Sequence, residues 1–372
     1  MAILLETIDT LEGFLALEQD WNALAEKLGT PLLRHELFAA IIKAREGRSR
    51  LAILVLRDGD AVRAIAPLHL KRRLGARRLE FISYELHEPS GLLYADEVSL
   101  QTLIGGILES RLPVYLNKLS AGGAEVRCIQ GLGRGKWLAY TDAGSILRVP
   151  LSADFSAVEK GVSAQRRKSF HRFRKRAERS GEVEFVAVAP EVLDVEQYLD
   201  EVFQVEASGW KGRRGSAILS NPETERFFRL YGRATAERRM ARIFLMKISG
   251  VTVAARFAVA HAGRLWELKI GYDERFRSCS PGILLTHETL RHASWEGLVA
   301  HEFLGISEEW QRIWTCEEQR CQTVRYYPVS IASIACLGAD SGRLVQLRAG
   351  RIFSLILERS TQLRQPRADA KA

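Results

Sequence analysis

The sequence predicts an α/β fold built from two similar halves. Two observations carry that expectation: a strand, glycine turn and strand that occurs twice, and helical patterns ahead of each copy. In the first copy, residues 51–56 are an unbroken apolar run ending at Asp58-Gly59-Asp60, and residues 61–66 continue it. In the second, residues 243–248 pass through Ser249-Gly250 into residues 252–257, with Gly250 standing for Gly59 and Ala255 for Ala64. Ahead of the first, Leu17, Trp21, Leu24 and Leu28 recur on one face of a helix over 11–28; ahead of the second, helical patterns cover 192–208 and 222–237. Helices feeding antiparallel strands imply mixed, mostly antiparallel sheets flanked by helices in each half. A chain of 372 residues also exceeds the usual single core, and an internal duplication accounts for both facts economically.

The strand-like residues 145–149 give way at Pro150 to Ser152-Ala153-Asp154 and a new helix, so the halves are placed at 1–150 and 151–330, with 331–372 as a basic C-terminal segment and tail. The opening residues have no basic region ahead of a long apolar core, and Glu6, Asp9 and Glu12 interrupt them, so a cytoplasmic location is expected. The most apolar late stretch, 329–339, is shorter than the roughly 20 residues needed to span a bilayer. Five scattered cysteines without a CxxC pair predict reduced thiols and no metal site. The net charge of +9 points to an anionic partner.

The chemistry is expected in the second half. Residues 264–272 read as a strand, Arg277-Ser278-Cys279-Ser280-Pro281-Gly282 as a turn, 283–296 as a helix and 299–304 as a further strand. Free N–H groups and the dipole at a helix start can cradle a phosphate. Alone, a Ser-Pro-Gly before a helix is a common N-terminal cap. The order hairpin, strand, anion turn, helix, strand resembles the GNAT acyltransferases, whose RxxGxG/A motif is matched by Arg277, Ser280 and Gly282. The serine in place of the first glycine is similar to the CelD/BcsL-like branch. So are Trp21-Asn22-Ala23-Leu24, Ala66-Pro67-Leu68, the arginine-rich 165–181, Gly209-Trp210-Lys211-Gly212 and the stretch from Glu302-Phe303-Leu304 to Trp314. The resemblance covers about residues 10–328. It implies two tandem GNAT-like halves in the Fem-type double-GNAT arrangement. It also implies acyl-CoA as a substrate rather than a tightly bound cofactor, held by Ile270, Gly271 and Tyr272 along the thioester and by Arg277, Ser278, Cys279, Ser280, Pro281, Gly282 and Ile283 around the pyrophosphate.

An acceptor amine arrives as ammonium and must lose a proton before it attacks. Glu308 is the first candidate base, with Glu302 and His287 behind it. The stretch 302–314 departs from its branch pattern at Ile306, Ser307 and Gln311, which removes a lysine from the expected set.

The basic helix within 165–180 carries Phe170, Phe173 and Ala177 at helical spacing between cations. It suits an anionic membrane surface or a solvated structural role, with nucleic acid set lowest. The C-terminal stretch interleaves Leu344, Leu347, Ile352, Leu355 and Ile356 with Arg343, Arg348, Arg351 and Arg359 as a second such element. The CelD/BcsL-like branch implies two acceptors. One is the amine of a sphingoid base (3-ketosphinganine or sphinganine, as in bacterial ceramide synthesis), reached by peripheral contact with the inner membrane. The other is a sugar in cellulose-type exopolysaccharide synthesis. A non-catalytic or RNA-assisted Fem-like binding protein is the third reading.

Overall fold

The structure is a computed structural model that describes residues 3–48, 50–83, 88–209, 215, 217–305 and 307–342. Trp210, Lys211, Gly212, Ile306 and the cationic stretch from Arg343 to Arg359 lie outside the described residues.

The first half runs β1 (Ile3–Ile8), α1 (Leu11–Ala16), α2 (Glu18–Leu28), α3 (His35–Ala44), β2 (Arg50–Leu51), β3 (Ile53–Asp58), β4 (Ala61–Ala66), β5 (Leu68–Arg73), β6 (Ala76–Phe81), β7 (Leu93–Tyr94), α4 (Glu97–Glu109), β8 (Val114–Ser120), α5 (Ala124–Leu132) and β9 (Leu138–Pro150). The single helix expected over 11–28 is two, because the Leu17 N–H donates to Phe14 O, three residues back, and tightens the turn before α2 begins. The second half runs α6 (Phe155–Gly161), α7 (Ala164–Ser180), β10 (Val183–Val188), α8 (Val195–Ser208), α9 (Pro222–Glu237), β11 (Ala241–Ile248), β12 (Val251–His261), β13 (Arg264–Tyr272), α10 (Pro281–Trp295), β14 (Ala300–Phe303) and β15 (Glu317–Tyr326). Residues 331–342 form a last helix, α11.

The duplicated hairpins share more than a glycine. In β3–β4 the partners step Asp58↔Ala61, Arg57↔Val62, Leu56↔Ala64; in β11–β12 they step Ile248↔Val251, Lys247↔Thr252, Met246↔Ala254. Each has a two-residue loop followed by a one-residue bulge at the same place. Counted from that loop, Ala64 corresponds to Ala254, and Gly59 to Ser249. The sequence pairing of Ala64 with Ala255 is therefore one residue out of step. It aligned the two glycines, whereas the second loop uses both Ser249 and Gly250 at positive φ.

Two sheets result. A small one has the order β1-β3-β4-β7, and an eleven-stranded one has the order β10-β11-β12-β13-β14-β9-β15-β8-β6-β5-β2. Strand β9 joins the halves: Leu147–Pro150 pair with β14, and most of its length pairs with β15. Strand β15 in turn pairs with β8 of the first half, so the last described strand returns across position 150.

Helices α8 and α9 cover one face of the second-half strands, and α1–α3, packed on the small sheet, join the same core against α9 through Trp21, Phe38, Phe203, Phe227 and Phe257. Helices α6, α7 and α10 cover the opposite face through Phe170, Leu284, Leu285 and Phe303. The apolar stripe of the basic helix α7 therefore faces inward. Ala177 is fully buried, Phe170 is buried and stacks on Trp314, and Phe173 packs against the same core. That corrects the expectation that α7 offers this stripe to a membrane, since its apolar face is already covered by the fold.

Candidate active site

Strands β13 and β14 run parallel and pair from Arg264↔Ala300 to Glu267↔Phe303, where the pairing stops. Strand β13 continues along β12 to Tyr272, so it parts from its β14 neighbour over Leu268–Tyr272. A bulge at Leu268 sits at the point of parting: Phe257 pairs with Lys269, and Ala258 with Glu267. The Asp273 N–H donates to Val253 O at 2.8 Å. By the alternation of an antiparallel ladder, the backbone of Gly271 then also faces β12, and the backbone groups of Ile270 and Tyr272 face the opened side.

The turn after β13 is tightly organised. Asp273 caps the 3₁₀ turn Glu274–Cys279, accepting from the Arg275 N–H at 2.9 Å. Hydrogen bonds from the Arg275 side chain hold the Asp273 carboxyl below its ordinary pKa. Arg277 and Ser278 are exposed, while Cys279 is buried and its thiol is pushed up by burial, which makes it an unreactive packing residue. Ser280 adopts φ 48°, ψ 57°, the left-handed conformation. That is the physical reason a glycine suits this position.

Helix α10 starts at Pro281 with no side-chain cap. Proline has no N–H, and the Ile283 N–H turns back to Ser280 O; Gly282 supplies the outward donor of the first turn. A Cβ built on Gly282 would meet only Tyr272 Cδ1, at 3.6 Å. Beside the turn, Arg176 of α7 donates to Ser278 O at 3.2 Å. These features together make a polar, positively biased helix start next to the opened strand.

Behind the turn lies a buried ionic brace that sequence patterns did not reveal. Arg256 of β12 contacts Glu267 of β13 at 2.6 Å, and His301 Nε2 of β14 lies 3.3 Å from the same carboxylate oxygen. Arg256 Nη2 donates to Thr286 Oγ1 at 2.8 Å, and that hydroxyl donates to Gly282 O at 2.8 Å. The first turn of α10 is thus fastened to three adjacent strands. Burial holds the His301 pKa down against the raising effect of Glu267.

The three candidate bases occupy different places. Glu308 is exposed; its Oε2 accepts from Trp310 Nε1 at 2.6 Å, and its N–H donates to Gln311 Oε1 at 2.8 Å. Glu302 is buried and paired with Arg148 at 2.6 Å and Arg264 at 3.3 Å, a structural ion pair that occupies the carboxylate. His287 sits on α10 with Nε2 2.8 Å from Glu159 Oε1, ringed by Phe155, Phe170 and Trp314. Burial opposes its charged form, but Glu288 and Glu159 outweigh that and raise its pKa. It reads as a clamp between α6 and α10.

A further carboxylate belongs to a helix that packs against the opened strand. Glu206 of α8 is buried, its Oε2 accepts the Ile218 N–H at 2.8 Å, and its Oε1 lies 3.6 Å from Lys269 Nζ. Helix α8 passes so near β13 that a Cβ on Gly271 would stand 2.7 Å from Glu206 Cα. The sequence signal was present but unread, a glutamate in the last turn of a predicted helix just before Gly209.

Residues 164–312 match the family model described as Acetyltransferase (GNAT) domain. Among solved structures, FemX is similar with a TM-score of 0.56 at 11% identity, covering 86% of this chain and 96% of that one. The C-terminal domain of an Agrobacterium fabrum protein described as a lysylphosphatidylglycerol synthetase gives 0.54 at 11% identity over 89% and 97%. L-PGS from Bacillus licheniformis gives 0.53 at 13% identity over 89% and 96%. A comparison with the curated proteins gives no match. The fold is α/β with mixed sheets flanked by helices, as in the Fem-type neighbour. The matched segment is similar to an acetyltransferase domain, and a GNAT fold implies an acyl-CoA donor.

Proposed function

We propose that the chain transfers a fatty acyl group from coenzyme A to the amine of a long-chain lipid, a sphingoid base such as sphinganine or its 3-keto form. The observation that carries the donor site is the coincidence of two features: β13 parts from β14 at Glu267, and the uncapped start of α10 stands beside the opened strand. Pyrophosphate would lie on the Gly282 and Ile283 end, flanked by Arg277, Ser278, Cys279, Ser280 and Pro281. The thioester would lie along Ile270, Gly271 and Tyr272, with acyl-CoA entering as a substrate and no tightly held cofactor. No described helix is long and apolar enough to cross a membrane, so a lipid acceptor would be met at a surface.

In this reading a carboxylate first takes the ammonium proton, the freed amine attacks the thioester carbonyl carbon, the carbon–sulfur bond breaks, and the extra proton left on the attacking nitrogen passes to the departing sulfur, so that coenzyme A leaves as the thiol. An outward N–H on β13 would stabilise the oxyanion, an effect of about 3 to 4 kcal/mol per donor. Glu308 and Glu206 are the proton acceptors we favour. Glu308 is open to solvent, and Glu206 touches the strand on which the carbonyl would rest. The name of one solved relative, a lysylphosphatidylglycerol synthetase, adds some weight to a lipid acceptor.

The test mixes purified protein with palmitoyl-CoA and sphinganine or 3-ketosphinganine, and in parallel acetyl-CoA with an amino sugar, following free thiol and product mass. An N-palmitoyl product supports the proposal. Turnover confined to acetyl-CoA and the amino sugar overturns it in favour of polysaccharide modification.

A further inference from the structure

The far end of the large sheet, in the first half, carries a surface that the acyl-transfer site does not use. Partners Leu79↔Val114, Val114↔Tyr326 and Tyr326↔Leu138 place the tip of the β5–β6 hairpin, the entry to β8, the exit of β15 and the entry to β9 at one sheet end. Leu74 stands at the hairpin tip, at positive φ and 74% exposed. Trp137 precedes β9 and is 72% exposed, and its carbonyl accepts the Tyr327 N–H at 2.9 Å. From there the chain enters α11.

Helix α11 is held firmly by its inner face. Cys336 and Asp340 are buried, and Asp340 accepts from Arg78 at 2.7 and 2.8 Å and from Tyr327 Oη at 2.7 Å. The Arg78 guanidinium lies over the Tyr115 ring. That clamp turns the other face outward, where Ile331 is 87% and Ile334 72% exposed, with Val329 and Leu337 exposed beside them. Spacings of three residues put these side chains on one side of the helix. At the same sheet end Arg134 and Lys136 precede Trp137 and Arg111 precedes β8, and all three are exposed.

We propose that this end of the sheet docks on the surface of an anionic phospholipid bilayer. The outer face of α11 and Leu74 would enter the headgroup boundary, Trp137 would sit at headgroup level, and these cations would meet lipid phosphates. An exposed apolar cluster with cations beside it fits such a surface. A second copy would set the same cations against one another, which opposes self-association. Strands β14 and β15 both run antiparallel to β9, so from the level of Leu147 the opened part of β13 points toward the end of β9 that carries this surface. The docking extends the lipid-acceptor reading but does not rest on it.

The test is co-sedimentation of the full chain with phosphatidylglycerol/phosphatidylcholine vesicles and with phosphatidylcholine vesicles alone. The wild type should bind the anionic vesicles and release as salt is raised, and Ile331→Asp/Ile334→Asp should weaken that partitioning at least tenfold. Both side chains are solvent-exposed, so the variant should keep the wild-type unfolding midpoint and acyl-CoA affinity, which separates docking from donor binding. Failure of the wild type to bind anionic vesicles, or equal binding by the double variant, overturns the proposal. So does a concentration-dependent wild-type dimer that the double variant abolishes, since it would assign the face to a second copy.

Discussion

Helices α7 and α11 look alike in one respect and opposite in another. Each sets apolar residues at helical spacing beside cations, α7 through Phe170, Phe173 and Ala177, α11 through Ile331, Ile334 and Leu337. In α7 the stripe is buried against Trp314 and the core around α10, and its cations brace the fold: Arg174 pairs with Glu178 and Glu288, and Arg176 reaches Ser278 O. In α11 the polar residue Asp340 is buried, and the apolar residues face out. A pattern of residues announces that a face must be covered; only the packing says by what. The basic helix that best matched a membrane element in sequence is part of the core, and the better membrane candidate is a helix whose inner side is fixed by an arginine 262 positions away in sequence.

The comparison breaks most visibly in unfolding experiments. Phe170→Ala in α7 should lose about 3 to 5 kcal/mol of stability, as deletion of a buried aromatic does. Ile334→Ala in α11 should change it by no more than about 0.5 kcal/mol. Urea unfolding of both variants checks this, and equal losses would mean that the outer face of α11 is covered by the chain itself.

Next in size is the proton acceptor. If Glu206 takes the amine proton, Glu206→Gln should lower kcat on the order of 100-fold while leaving the Kd for acyl-CoA unchanged. If Glu308 does, Glu308→Gln should show that pattern instead. Steady-state kinetics with a separate binding titration decides, and two fully active glutamine variants would remove both residues from the chemistry.

Gly271→Ala should follow, with a loss of about 1 to 3 kcal/mol from overpacking, because its Cβ would press on the α8 backbone at Glu206. The matching change in the donor turn, Ser280→Gly, should be neutral or slightly stabilising, since it relieves a serine held at φ 48°. Thermal unfolding of the two variants measures both.

The smallest effect is in pH. His287 has a raised pKa in the folded chain, so its contribution to stability is complete below the unfolded value near 6.5 and is lost as pH rises through the folded value. Wild-type stability should decline slightly on going from weakly acidic to alkaline pH, and His287→Gln should flatten that slope. An unchanged slope would show that the clamp to Glu159 and Glu288 does not hold in solution.

Much of the fold was legible because it is local. The strand Arg264–Tyr272 and the helix Pro222–Glu237 have the ends that their patterns predict. The hairpins were legible to within one residue, the slip arising where a serine takes a positive φ in place of a glycine. The turn and the helix start of the donor site were legible for the same reason. What was hidden depends on pairings between distant segments. The return of β15 to β8, the brace of Arg256, Glu267 and His301, and the contact of Glu206 with Gly271 each join residues whose neighbours in sequence give no sign of them. Glu302 and His287 were candidate bases in the sequence, and the partners that hold them, Arg148 and Glu159, lie far away in sequence and gave no sign there.

The central claim is that acyl-CoA is held where β13 leaves β14 and α10 begins. Isothermal titration of acetyl-CoA and palmitoyl-CoA into the wild type and Gly282→Val tests it most directly, because a valine there has room to fold beside Tyr272 while its branches fill the mouth of the turn. The account predicts saturable binding to the wild type and an affinity at least tenfold weaker in Gly282→Val at an unchanged unfolding midpoint. Equal affinity in the two proteins would contradict it.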